Sequence, residues 1–401
     1  MMFSGTRRAK IVKHNSPENT TRYSKQETLS ARRKFHKVSI SASDPIALLS
    51  PNNTTHAAVH CLTAIAAGPP FIAADASIGD ADPSYRSCLI DCEEIGCVGD
   101  TCLPHCNLSS NGTPLDGPWY MQEPQWDCQS DCRYHCMLKK EQERASSGQK
   151  PVKYHGKWPF KRVFGIQEPA SVAFSALNLA MHFHGWLSLF ILLHYKLPMK
   201  PDKKPYYDYA GLWHLYGLLA LNSWFWSAVF HSRDVELTEK LDYYSAITLL
   251  GYSLIVSILR SFNVRLEAAR VMVSAPLIAF VTTHILYLNN YKLDYGWNMK
   301  VCVTMGVAQL LIWAVWGGIS GHPSRVKLRF VIVSGALAML LEIYDFPPYQ
   351  GFIDAHAVWH ATTIPLTYMW WSFIKDDAQL QTSLLLNKMY VCGARCFYFF
   401  T

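Results

Sequence analysis

Between Pro169 and Ile374 the chain repeatedly runs through apolar stretches of 18 or more residues separated by short polar links. A stretch of that length is what a helix needs to cross the hydrocarbon of a bilayer, where every backbone amide must find its partner within the segment or in a closed barrel. Seven spans are placed at Pro169–Leu193, Gly211–Phe230, Leu241–Leu259, Val271–Leu288, Met299–Ile319, Phe330–Ile343 and Ala355–Ile374, the sixth being short for a span. The composition agrees, since 50% hydrophobic with 17% charged residues over 401 positions is too apolar for a typical soluble protein. The expected fold is an all-α membrane protein, a seven-transmembrane-helix bundle with a small N-terminal cysteine-rich, disulfide-stapled luminal domain.

The first part of the chain obeys different rules. Residues 1–76 are basic and rich in Ser and Thr up to about Thr55, too polar to bury a core. The apolar segment Ala57–Ala74 then reads as an atypical signal peptide with cleavage near Ala76. Eight cysteines, Cys88, Cys92, Cys97, Cys102, Cys106, Cys128, Cys132 and Cys136, crowd into the next stretch of chain. Their gaps are mostly three or four residues and lack paired C-x-x-C knuckles, which favours disulfides over a zinc ribbon. Asn107 and Asn111 head two glycosylation sequons in the same segment. The division is therefore 1–76, a cysteine-rich luminal domain and linker at 77–162, the helical domain at 163–377 and a cytosolic tail at 378–401.

A net charge of +7 raises the question of nucleic acid, but the basic residues divide between the N-terminal tail and the links between spans, so no nucleic-acid partner is expected. Lys196, Lys200, Lys203 and Lys204 follow the first span, Arg260, Arg265 and Arg270 the third, and Arg325, Lys327 and Arg329 lie after the fifth. The alternate links hold fewer, which makes the first set cytosolic and the cysteine-rich head luminal. One count opposes this: Lys150, Lys153, Lys157, Lys161 and Arg162 precede the first span on the luminal side.

Ionisable side chains inside spans are costly and so are functional suspects. His356 and His360, in HAVWH, are four apart and share one helix face; Ser227 and His231, in FWSAVFHSRD, repeat that spacing at the end of the second span, and Asp242 opens the third. By the orientation above, all five lie at the luminal ends of three different helices. Three neutral histidines suit a zinc ion with one open position, whose water is acidified to a pKa of about 7. Asp242 would be the general base, and Ser227 would hold the water or the developing oxyanion. Against this, the histidines could be interhelical hydrogen-bonders, Asp242 could pair with Arg233 or Lys240, and Ser227 could bond its own helix. Glu342 and Asp345, in LEIYDFPP, either orient a zinc-bound histidine or cap and pair at the helix end. His284 is a spare ligand candidate, while His182, His184, His194 and His214 read as packing residues.

The S-x-x-x-H, D and H-x-x-x-H pattern on seven spans is similar to the superfamily of alkaline ceramidases, progestin and adipoQ receptors and Per-like proteins. CLPHC, DCQSDCRYHC, VKYHGKWPF, FHSRDVELTEKLDY, EIYDFPP and DAHAVWHATTIP together resemble the Per-like family of post-GPI-attachment factors, over about Asp80–Asp377. YMQEPQWDC is shorter than that family's pattern. The resemblance implies lipid remodelling of GPI anchors by a phospholipase A2-type hydrolase that removes the sn-2 acyl chain of the anchor phosphatidylinositol. It implies GPI lipids or GPI-anchored proteins as substrate, and the Golgi membrane as location, with the endoplasmic reticulum second. It also implies zinc on His231, His356 and His360 with Asp242 and Ser227 beside it. The alternatives are a seven-helix receptor or scaffold with a structural metal, and a ceramidase-like lipid amidase.

Overall fold

The computed structural model describes residues 77–103, 106, 126–291 and 293–398, with side chains described as far as Tyr390. The expectations for residues 1–76, for Asn107 and Asn111, and for the shortened stretch ending at Gln125 lie outside the described residues.

The head begins with a single turn, α1 (Ile78–Ala81), and the helix α2 (Pro83–Ile95). Asp82 starts α2 by accepting the Ser84 amide at 2.9 Å, with Pro83 pre-set at the first helical position, and left-handed Gly96 ends it. A two-residue hairpin, β1 (Cys97–Val98) with β2 (Thr101–Cys102), turns the chain back. The next described helix, α3 (Cys128–Ser146), is capped by Asp127 on the Ser130 amide at 2.8 Å. α3 runs for 19 residues because MLKKEQERA is a run of strong helix formers.

All eight head cysteines pair, as Cys88–Cys136, Cys92–Cys132, Cys97–Cys102 and Cys106–Cys128. Cys88 and Cys92 are four apart on α2, and Cys132 and Cys136 four apart on α3, so two antiparallel helices present two matched rungs. With Tyr85, Leu103 and Tyr154, the cystines Cys88–Cys136, Cys92–Cys132 and Cys106–Cys128 form a small core that so few apolar residues could not sustain by packing alone.

Seven long helices follow: α4 (Pro169–Ile191), which continues as a π-helical turn over Leu192–Lys196, α5 (Ala210–Ser232), α6 (Glu236–Ser261), α7 (Glu267–Asn290), α8 (Tyr295–Ile319), α9 (Arg325–Ile343) and α10 (Ala355–Tyr398). Their main contacts run α4–α5–α6–α8–α9–α10 and back to α4, a ring of six, with α7 packed outside on α6. Close approach in the ring depends on glycine: a Cβ on Gly185 of α4 would fall 2.2 Å from Trp371 of α10, and one on Gly217 of α5 would fall 2.4 Å from Trp186 of α4.

Among the described residues, four helices are long and apolar enough to cross a membrane: α4 with its π turn, α6, α7 and α8. The other three are richer in polar groups. Arg325, Lys327, Arg329 and Glu342 lie on α9, tryptophans and histidines interrupt α5, and α10 carries two histidines, four threonines and Lys375, Asp376 and Asp377. The last helix also runs well past Ile374 and past the expected boundary at residue 378. Asp377 ends the apolar pattern without ending the helix, because it turns inward to Arg260 of α6, its Oδ2 2.7 Å from Nε. Tyr207 donates to the same oxygen at 2.5 Å. This buried knot and the aromatic cluster of Trp213, Trp313, Trp371 and Phe373 occupy the end of the bundle away from the head.

Candidate metal centre

Each element that carries a candidate residue is stopped or started beside the head. α10 begins at Ala355 because Asp354 accepts the Ala357 amide at 2.8 Å, which puts His356 in the first turn and His360 one turn on. Burial pushes the Asp354 carboxyl up, against the pull of that amide. α5 ends at Ser232, and its last carbonyls are taken by the start of α4: Gln167 and Glu168 donate their amides to Ser232 and His231 at 3.1 and 3.0 Å. Helices α4, α5 and α10 thus bring His231, His356 and His360 to one place.

The ring centroids of the three histidines are 5.2, 5.0 and 4.5 Å apart, and one nitrogen from each lies within 4.8 Å of the others. His231 and His360 are 3% and 2% exposed. His356, with 34% of its side chain exposed, opens the cluster to the outside. Trp359 stacks on His356 and Trp224 meets His360 edge-on, which gives the site apolar walls.

The tautomers follow from the partners. His231 Nδ1 donates to Glu168 Oε2 at 2.7 Å, and His356 Nδ1 donates to Glu342 Oε2 at 2.8 Å, since a carboxylate only accepts. His360 Nδ1 is 3.1 Å from the hydroxyl of Ser175. Every Nδ1 is therefore engaged, and each Nε2 is left to the centre. His356 Nε2 and His360 Nε2 stand 2.8 Å apart, a contact between lone pairs unless a proton or a cation lies between them. His231 Nε2 is buried and has no hydrogen-bond partner among the described residues. Three convergent imidazole nitrogens, held from behind by carboxylates and a hydroxyl, fit a divalent metal ion, and the triad could hold one. A second cluster, Cys106, Cys128 and Cys132, has its sulfurs in disulfides.

The remaining sequence candidates take up varied positions around this centre. Asp242, in the second turn of α6, interacts electrostatically with His356, Lys157, Glu168 and Glu342. Ser227 reaches the triad through Ser175, whose hydroxyl is 3.1 Å from its own. Asp345 turns to the linker, where it pairs with Lys153 and accepts the Trp158 indole N–H at 2.6 Å. His284 is not a ligand in this arrangement; it bonds Asn298 at 3.3 Å and stays outside the triad. His182 is a packing residue, accepting from Trp371 Nε1 at 3.2 Å.

Sequence reasoning missed Glu168, Ser175 and Lys157. Lys157 donates to Glu168 Oε1 at 2.8 Å and lies 2.9 Å from Asp234. Burial alone would raise the Glu168 carboxyl, yet the Lys157 ammonium and the His231 imidazole hold it well below the usual carboxylate range. The same burial disfavours the charged lysine, and Glu168 and Asp234 reverse it, so Lys157 stays protonated beyond its ordinary range. Ser175 carries a signal that was available: Ser171, Ser175, Asn178 and His182 are all buried and recur at helical spacing along an otherwise apolar α4.

The pattern of the Per1-like family matches residues 118–378 of the chain. The chain is 36% identical over 309 residues to the human GPI-specific phospholipase A2-like PGAP3, covering 76% of this chain and 90% of that protein. It is 37% identical over 310 residues to the bovine protein of the same name, with the same coverage. Protein PER1 homolog of Schizosaccharomyces pombe is 36% identical over 308 residues, covering 75% of this chain and 86% of that protein. No solved structure matches.

Proposed function

The chain belongs to the Per1-like family, and from that premise we propose that it is a zinc-dependent lipid hydrolase that removes the sn-2 acyl chain from the phosphatidylinositol of GPI anchors. The single observation that carries the chemistry is the set of three imidazoles whose Nδ1 atoms are engaged from behind while their Nε2 atoms converge. His231, His356 and His360 would hold the ion. Bound there, zinc supplies a Lewis acid and lowers the pKa of a water.

The other steps belong to the chain's own side chains. Glu168, Glu342 and Ser175 fix the ring orientations, so the imidazoles need not reorganise during reaction. Asp242, on the neighbouring helix and within electrostatic reach of His356, takes the proton from the attacking water and returns it to the departing alcohol. Ser227, in contact with Ser175, supplies a hydroxyl at the same depth for the ester oxygen. The exposed side of His356 is where an acyl ester at the membrane surface would enter, and the enclosed side, bounded by His231 and His360, excludes bulk water.

The cellular setting belongs to the same reading. Seven spans, α4 to α10, put the site and the disulfide-tied head on the luminal face of a secretory membrane, the Golgi first and the endoplasmic reticulum second, with GPI lipids or GPI-anchored proteins as substrate. The four disulfides support an oxidising compartment. The test is metal analysis of the purified protein together with fatty-acid release from GPI lipid by the parent and by His360→Ala. Zinc in the parent with release lost in the variant is the expected result. Bound zinc without turnover would favour a receptor or scaffold, and turnover of amide lipids alone would favour a ceramidase-like amidase.

A further inference from the structure

The segment that joins the head to α4 is more than a tether. On the head side, Lys153 O accepts the Gly79 amide at 3.0 Å, Asp80 accepts the His155 amide at 3.0 Å, Ser77 Oγ accepts the Gly156 amide at 2.8 Å, and Tyr154 donates to Glu141 at 2.9 Å. On the bundle side, the segment holds the α9–α10 loop through Asp345 and through the Lys161 amide, which donates to Gly351 at 2.9 Å. It holds the end of α5 through Gln167, whose side chain accepts the Asp234 amide at 3.1 Å, and through Lys157. The strap therefore bridges both loops that flank the metal centre.

We propose that Lys157 and Glu168 are positioning residues for His231, and that through this strap the disulfide-tied head sets how tightly the site holds its ion. Glu168 stands at the N-cap position of α4 yet makes no side-chain cap bond. Its oxygens are turned instead to Lys157 and to His231. A buried carboxylate facing only a neutral imidazole would be costly, and the ammonium offsets that cost and fixes the carboxylate plane. Asp234 completes the group, so two carboxylates and one ammonium leave one negative charge behind the ligand. His231, unlike His356, is thus oriented by a residue whose side chain is held by the head's linker as well as by the bundle.

This rests on the metal-site reading, and the test separates the two. Full-length protein in detergent is loaded with Zn²⁺ or Co²⁺, and affinity is measured by chelator competition for the parent, Glu168→Gln, Lys157→Met and Lys157→Arg, with the Co²⁺ absorption bands recorded. Glu168→Gln and Lys157→Met are expected to lose about ten- to a hundredfold in affinity and to shift the bands, with Lys157→Arg recovering most of the loss. Helix content should stay at the parent value, while Lys157→Met, which leaves the buried Glu168 without its ammonium, should melt lower than the parent. In a second arm the head is reduced and alkylated, so that freed thiols bind no metal; the parent should lose affinity while Lys157→Met loses little more. Parent affinity in both variants overturns the proposal, and so does parent affinity after reduction, which decides the matter if Lys157→Met fails to fold. A parent that binds neither ion overturns the metal reading and the strap with it.

Discussion

Asp377→Ala should cost the fold dearly and the metal centre nothing. Asp377 and Arg260 have side chains 2% and 5% exposed, and the carboxylate binds the guanidinium through both oxygens while also accepting the Tyr207 hydroxyl. His322 Nε2 lies 3.5 Å from the same carboxylate. Removing the acid leaves a buried arginine without its counter-charge, a loss of about 3–5 kcal/mol when one partner of such a pair is deleted. At roughly 2–4 °C per kcal/mol for a domain of this size, the melting midpoint should fall by about 6–20 °C. Because the penalty is an orphaned charge rather than a lost attraction, Arg260→Leu combined with Asp377→Leu should recover most of it. The assay is thermal unfolding in detergent, run as a double-mutant cycle, with metal content measured alongside. A fall of less than about 3 °C, or a double variant no better than the single, would refute the reasoning. Reduced metal content in folded Asp377→Ala would refute the separation of the two ends.

Three further outcomes are expected. Ser175→Ala removes the group between His360 Nδ1 and Ser227, so metal affinity should drop about tenfold with the helix content intact, read by chelator competition and circular dichroism. Stripping the metal should abolish fatty-acid release, and restoring zinc at a hundred times its dissociation constant should return activity and add about 2.7 kcal/mol of stability, read as a rise in melting temperature. Burial pushes the Tyr85 phenol from 10.0 up to about 12. The folded head then holds that proton more tightly than the unfolded chain does, so its stability is whole below pH 10 and falls as the pH rises from 10 towards 12. Denaturant midpoints of the head measured across that window, flat with pH, would contradict this.

The long helices were legible because lipid leaves so few choices of backbone, and their starts differ from the sequence expectation by about five residues or fewer. His231, His356 and His360 were legible for a related reason: histidines four apart share a face, and the end of one helix and the start of another lie side by side and bring those residues together. The partners behind the rings were not. Glu168 precedes α4 in a polar segment and reaches His231 only because Gln167 and Glu168 hydrogen-bond the last carbonyls of α5, a long-range contact with no local periodicity to reveal it. The cystine pairing was also hidden, although the four-residue spacing within α2 and within α3 is the face that makes two rungs possible. The extent of α10 was misread for the opposite reason. Asp376 and Asp377 look like the end of a span by composition, yet both bond inside the bundle, Asp376 to Lys327 and Ser324 and Asp377 to Arg260.

The basic residues ahead of α4 were the one count against a luminal head, and in the folded protein most of them have partners. The positive-inside rule counts lysines and arginines close to a span and gives acidic residues little weight, so pairing in the folded protein does not take them out of the count. Lys153 pairs with Asp345, Lys157 with Glu168 and Asp234, and Arg162 with Asp131, while Lys161 lies over the Phe352 ring. Three of the five basic residues there, Lys153, Lys157 and Arg162, are matched by carboxylates from the head and from the same end of the bundle. The links on the other side keep Lys196, Lys203, Arg325 and Arg329 in addition to the paired Lys200, Lys204, Arg265 and Lys327. The case for a luminal head therefore rests on the four disulfides and on those other links rather than on this patch, whose Lys153, Lys157 and Lys161 instead build the strap.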